Sequence, residues 1–270
     1  MSTRQRDNYV HIMLELSLIK PETVVPAADF LKSIIGLNVQ KREEAFFHVL
    51  VSGHVPDHVR NFVDVVTQFF DAKGEEHSLT LRVLPDYLMI GDNVDNFRVP
   101  LWPTTAQKIA DAWNCVLPTT KLVTMIWHSA KTKVSPQPWG PPYDASMMST
   151  DRIVRHNSRI NATIRAMNVS GDLGLVAGHK KDVVMTNQLV KKPKQVSIFG
   201  WHQSNGKPIQ PLYLGHEREY SDYSHSIRLI SFECLLDGCP EDLRTIMQDP
   251  VLSVAVSSEG PLQLLRYPGV

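Results

Sequence analysis

The chain has 270 residues, 43% hydrophobic and 21% charged, a composition that can bury a sizeable core and excludes a disordered chain. Lys plus Arg number 28 and Asp plus Glu 28, so the formal charge is zero; this speaks against a nucleic-acid or anionic-membrane partner, since both attract a basic surface. Three cysteines, Cys115, Cys234 and Cys239, are too sparse and odd for a disulfide framework and contain no CxxC zinc pair, and no apolar run approaches the ~20 residues of a membrane span.

Residues 1–10 are polar and charged, unlike a signal peptide. Val25, Ala28, Leu31, Ile34 and Ile35 recur at helical spacing and predict a helix over 24–35, closed by Gly36. A second helix is predicted over 42–51, stopping at Gly53. The period then changes. Val63, Val65 and Phe69, then Leu79, Leu81 and Val83, then Tyr87 and Met89 read as strands, with Ala72-Lys73-Gly74 as a turn. A short β-like run over 97–101 ends at Pro103. Helical spacing returns over 104–113, with Thr104 or Thr105 as N-cap, and over 119–130. Residues 131–149 hold Pro136, Pro138, Pro141 and Pro142 around Trp139 and Gly140, a proline-stiffened crossing that reads as a boundary between subregions. Ser149 or Thr150 then caps a helix over 151–166 in which Arg152, Arg155 and Arg159 share a face.

From Gly171 the pattern is β-rich: Leu173, Leu175 and Ala177, then 183–185, then Val196, Ile198 and Phe199, then 227–232. Pro240 opens a short helix to Met247, and 262–265 reads as a terminal strand. The expected fold is α+β, with a helix-rich N-terminal two-thirds that includes a small β-meander, and an antiparallel or mixed β-sheet in the C-terminal third. The expected organisation is a helical and β region over 1–135 and a β-rich region over 150–270 that carries the site, with one continuous domain as the alternative.

Three polar segments border predicted strands: Gly178-His179-Lys180-Lys181-Asp182, Gly200-Trp201-His202-Gln203, and residues 220–228 from Tyr220 through Ser224 and His225 to Arg228. Strand ends are rigid and face clefts, which suits reacting groups. Six of the 11 histidines lie between His128 and His225, four of them between His179 and His225, and that clustering is what points to a site here. One chemistry is nucleophilic, pairing Ser224 with His202 or His179 and using Asp182 or Asp222 to orient the imidazole; the neighbouring His225 faces away on a strand. Another is acid–base, with Tyr223 or Tyr220 and a His exchanging protons while Lys180 or Arg228 holds a substrate carboxylate. A third is a divalent metal such as Zn²⁺ on His179, His202, His225 and an Asp. No organic cofactor is expected, since neither GxGxxG nor GxxxxGK[ST] occurs.

The expected activity is that of a hydrolase or lyase acting on a carbohydrate or cell-wall-type polymer. His179, His202, Tyr223 and His225 are the reacting set. Lys180, Asp182, Asp222, Ser224 and Arg228 support it, and Trp139 stacks on the small-molecule or polymeric substrate. The alternatives are a non-catalytic ligand-binding or interaction module around Trp139 and a His-ligated metalloenzyme. Each residue also has a bland reading: a core histidine, a solvated turn lysine at Lys180-Lys181 or Lys191-Lys192, a packing tyrosine, or a strand serine. Two sequons, at Asn161 and Asn168, matter only on a secretory route. Ser224-His225-Ser226-Ile227-Arg228-Leu229 resembles the SHGCIR element of the L,D-transpeptidases, with His202 upstream where that family also has a histidine. The resemblance covers these few residues. The family's cysteine has no counterpart in the element, so its acyl chemistry does not carry over.

Overall fold

The structure is a computed structural model that describes residues 20–167 and 173–270. Residues 1–10, the sequon at Asn168 and the start of the β-rich pattern at Gly171 lie outside these limits. Helix α1 (Ala27–Ser33) buries Ala27 and Phe30, and α2 (Val39–Val51) begins where the Asn38 side chain accepts the Lys41 N–H. A single turn, α3 (Asp57–Arg60), leads into the hairpin of β1 (Val63–Phe70) and β2 (Glu76–Val83). A second hairpin joins β3 (Met89–Gly91) and β4 (Asn96–Arg98).

Helix α4 (Pro103–Ala112) starts one residue earlier than expected. Pro103 takes its first turn, where a missing N–H costs nothing, and Trp102 rather than a threonine is the N-cap. After β5 (Cys115–Val116), α5 (Thr120–Ser129) is capped by the Thr119 hydroxyl, which accepts the Leu122 N–H. The proline crossing runs from β6 (Thr132–Lys133) through a 3-10 turn at Ala145–Met148 to α6 (Thr150–Ala166), capped by Ser149. The rest of the chain is short strands: β7 (Val176–Ala177), β8 (Lys181–Val183), β9 (Gln195–His202), β10 (Pro208–Glu217), β11 (His225–Ser226), β12 (Ile230–Leu236) and β13 (Cys239–Asp242), then helix α7 (Leu243–Gln248).

The strands form two larger sheets. In the first the order is β1-β2-β12-β13, with β5 also on β12; in the second it is β10-β9-β8-β11, with β8 and β11 parallel. β3–β4 and the parallel pair β6–β7 stand apart. The expected helix-rich N-terminal two-thirds is therefore corrected. Helix makes up 32% and strand 26% of the structure, the helices number seven among the described residues, and strands dominate the C-terminal two-thirds. Of what read as a small meander, the first two strands are two of the five in the first sheet, and the third, at Met89, belongs to the separate β3–β4 hairpin. β1 and β2 are eight residues each, and the partner that completes their sheet, β12, comes from the far end of the chain, where local periodicity does not reach. The expected terminal strand at 262–265 is also absent: Leu262 is buried and its N–H bonds the Met247 carbonyl instead.

The main apolar core runs from Ala27 to Tyr267 and includes residues of both larger sheets, while a smaller cluster of Val134, Ile160, Ile164 and Val176 sits under α6. The three polar segments lie along the second sheet, 178–182 at β8, 200–203 at the end of β9 and 220–228 at β11.

Candidate functional site: an aromatic cleft over a buried charge network

Register decides which side chains meet. β8 lies between β9 and β11, with Lys181 opposite Gly200 on one side and His225 on the other. Successive residues on a strand face opposite ways. Lys180 and Asp182 therefore point inward, at 0% and 2% exposure, and Lys181 is the lysine that reaches the surface.

Lys181 lines a cleft of about 630 Å³ together with the aromatic rings of Trp139, Trp201 and Tyr223 and the polar groups of Asp222 and Ser224. Trp201 has a backbone φ of +57°, a left-handed conformation that is strained for a bulky side chain. It is held there by its own N–H to the Lys180 carbonyl and by its indole N–H to the His179 carbonyl at 3.1 Å. Strain of this kind persists where the surroundings over-determine it, often at working sites. The Lys181 ammonium lies 4.8 Å over the Trp201 ring. On α6, Arg152 and Arg159 lie 5.3 and 5.2 Å over Trp139, while Arg155 pairs with Asp151.

The Asp222 carboxylate is fully organised. One oxygen accepts the Ser224 N–H at 2.8 Å and the Ser224 hydroxyl at 2.5 Å, and the other accepts the Tyr220 hydroxyl at 2.9 Å. Burial alone would raise its pKa, but neighbouring His225 and Lys181 and the Ser224 bonds hold it well below the usual carboxylate range. Ser224 donates to a carboxylate and so is not poised as a nucleophile. His225 is fully buried behind this group, its Nε2 4.0 Å from Asp222, and neither ring nitrogen has a hydrogen-bond partner among the described residues. Burial pushes its pKa down to about 4. Tyr223 contributes its ring to the cleft while its hydroxyl oxygen accepts the Trp139 N–H at 2.6 Å. Among the described residues the Tyr223 O–H proton has no acceptor.

Behind Tyr223 lies Lys180. Its Nζ donates to the Tyr223 carbonyl at 2.5 Å and to His156 Nδ1 at 3.2 Å. The Gln137 carbonyl, 3.1 Å from His156 Nε2, can only accept, so the His156 proton sits on Nε2 and leaves Nδ1 free for the lysine. Burial lowers Lys180 to about 7, and burial with the Lys180 charge lowers His156 to about 2. Deeper still, Asp86 pairs with Arg98 through contacts of 2.5 and 3.1 Å, and Arg98 also donates to Asn157 and Asn161. Asn161, the first sequon, is thus engaged inside the protein. His179 Nε2 lies 3.2 Å from Asp86, off the line a hydrogen bond needs, and burial lowers this imidazole to about 4.

The expected site residues do not share one place. Tyr223, Asp222 and Ser224 line the cleft with Trp139; His225 and Lys180 lie directly beneath. His179 belongs to the Asp86–Arg98 pair. His202 stacks on Trp127 at 5.6 Å and is absent from the cleft lining. Arg228 cannot hold a substrate carboxylate: it donates to the Leu84 and Val176 carbonyls and lies 4.3 Å over the Tyr87 ring. Asp182 accepts the Tyr87 hydroxyl at 3.0 Å and is raised by burial to about 7. The pairings of Ser224 with His179 or His202 are not formed, and His179, His202 and His225 do not gather as metal ligands. Among the described residues the group with metal-ligand spacing is Asp71, Glu75 and His77, on the β1–β2 turn.

Asp86, Arg98 and His156 lie outside the site residues that the sequence points to, and Lys181 falls within the polar segment 178–182 without a role assigned to it. The first two lie on neither a motif nor a polar run. For Lys181 a signal existed: in a strand, one of two adjacent lysines must face away from the other. No protein family, curated protein or solved structure matches the chain.

Proposed function

We propose that the chain is a hydrolase or lyase acting on a carbohydrate or cell-wall-type polymer, with the cleft between Trp139, Trp201 and Tyr223 as its substrate site. The observation that carries this reading is the pairing of a proton donor with a fixed anion on one cleft: Tyr223, whose hydroxyl oxygen is held by the Trp139 N–H, and Asp222, kept ionised by its neighbours. Acid–base cleavage of a glycosidic bond needs a proton for the departing oxygen and electrostatic support where charge develops on the ring. Tyr223 supplies the first and Asp222 the second. The half-buried Trp139 at the cleft supports a saccharide, because the apolar face of a sugar ring packs on a flat aromatic surface. In this reading His225, Lys180 and His156 position the cleft residues from behind rather than touching substrate.

The test is depolymerisation by the purified full chain of a panel of neutral, amino-sugar and uronate polymers, following new reducing ends and unsaturated products. Turnover on at least one polymer, lost in Tyr223→Phe, is expected. A second reading, saccharide binding without turnover, is favoured by one observation: three donors already occupy the Asp222 carboxylate. Binding in the same panel with no product from any polymer selects that reading and rejects the enzyme.

A further inference from the structure

Resting on the saccharide reading above, we infer that the cleft selects a sugar ring bearing a carboxylate, and that Lys181 is the residue that pairs with it. Most of the charges at the cleft are already used. Two acids line it. Asp222 is filled by Tyr220 and Ser224, and Asp144 turns back to accept the Ser146 N–H at 2.9 Å. Neither is the group left open for a ligand. Lys181 is different. Its ammonium lies over the Trp201 ring, half-buried, and no hydrogen bond or ion pair holds its Nζ among the described residues. A half-desolvated ammonium that feels Asp222 only at longer range, with no carboxylate in hydrogen-bond contact, gains most from an anion brought by the ligand, and the low local dielectric strengthens that pair. Arg152 and Arg159, stacked on Trp139, add positive potential to the neighbouring ring.

The geometry suits one molecule. A pyranose lying in the cleft places its ring substituents beside the Lys181 ammonium, which itself covers the Trp201 face. A uronate-type carboxylate then meets the ammonium directly. A neutral sugar fills the same cleft but leaves the ammonium without that carboxylate. The role expected earlier for Lys180 or Arg228 thus passes to the lysine next door.

The experiment uses the full chain and fluorescently labelled oligouronates of three types, built on galacturonate, glucuronate and mannuronate. Each is compared with the same oligomer after its carboxyls are reduced to alcohols. At least one acidic oligomer should bind about tenfold or more tighter than its reduced form, as a charge-assisted pair predicts. Lys181→Met should collapse that ratio toward one, Lys181→Arg should keep most of it, and the surface control Lys192→Met should leave it alone. Thermal unfolding of each variant checks that the fold is intact. Equal binding of acidic and reduced oligomers, or a ratio that survives Lys181→Met, overturns the inference and leaves the saccharide reading standing. No binding of any oligomer, acidic or reduced, overturns both.

Discussion

Tyr223 carries several contacts on one residue. Its carbonyl accepts from Lys180, its hydroxyl accepts from the Trp139 N–H, and its ring packs edge-on against His156 at 4.7 Å and Trp139 at 6.1 Å. Removing only the hydroxyl separates these roles. Tyr223→Phe keeps the ring and the carbonyl, so the cost to folding is about 1 kcal/mol, for one N–H left without its acceptor. The cost to turnover should be far larger, about a hundredfold to ten-thousandfold, the range for losing a general acid. Unfolding midpoints and initial rates on the active polymer check both sides; a variant that keeps its rate is incompatible with Tyr223 as the proton donor. At this scale the sequence was informative about residue type and silent about direction. Lys180 and Lys181 are adjacent, yet one is in the interior and the other in the cleft. His202 and His225 looked equivalent, yet one stacks on Trp127 and the other stands behind Asp222. Side-chain direction follows from strand register, and register depends on partners that the local sequence does not name.

Among the elements, the segment from Gly178 to β8 is tightly constrained. Gly178 has φ +105°, and a Cβ there would lie 2.6 Å from the Val134 carbonyl oxygen and 3.3 Å from that of His202. The backbone of the proline crossing and the end of β9 both press against this one residue. Gly178→Ala combines a disfavoured conformation with a clash against main chain, and should destabilise by about 2–4 kcal/mol in urea unfolding. A loss within experimental error would mean that the crossing can shift away. Local elements of this kind were largely readable. The alternation of β1 and β2 about a Lys-Gly turn, the Thr119 and Ser149 caps, and the long helix α6 all follow from short-range rules. Of the short strands, β7 falls within an alternation the sequence showed, whereas β8 (Lys181–Val183) and β11 (His225–Ser226) are largely polar and did not read as strands; with two or three residues each, they exist because neighbours pair with them.

For the whole molecule, the number of ionisable groups shut inside matters more than any one of them. His179, His202 and His225 are pushed down to about 4 and His156 to about 2, mainly by burial, so the folded protein holds four neutral imidazoles that an unfolded chain would protonate near pH 6.5. Between pH 6.5 and 4 the unfolded state therefore binds more protons, and stability falls as the pH drops, by about 3 kcal/mol for each fully buried imidazole at most. Asp182 and Glu43, raised by burial to about 7, act in the opposite direction over roughly pH 4 to 7, but two carboxyls are outnumbered by four histidines. On the alkaline side Lys180, lowered to about 7 from 10.5, leaves the unfolded state with more protons up to pH ~10, so stability rises with pH there. The urea midpoint should fall from pH 7 to 4 and rise from pH 7 to 9; a midpoint that holds steady on acidification would contradict neutral buried imidazoles. Composition showed that the chain is rich in histidine, but which histidines are sealed in depends on Asp86, Arg98 and α6 closing around them, an arrangement of residues far apart in the chain.

The pairing of β2 with β12 has a consequence for how the protein is made. β2 ends at Val83 and its neighbour β12 begins at Ile230, so most of the chain must leave the ribosome before the first sheet can close. Until then the β1–β2 hairpin has its β2 edge with nothing to bond, in addition to the β1 edge, whose Val66 and Phe70 stay exposed even in the finished protein. Closure over so long a loop is entropically slow, which places the rate-limiting step of folding after synthesis and makes that waiting edge the part of the nascent chain most in need of a chaperone.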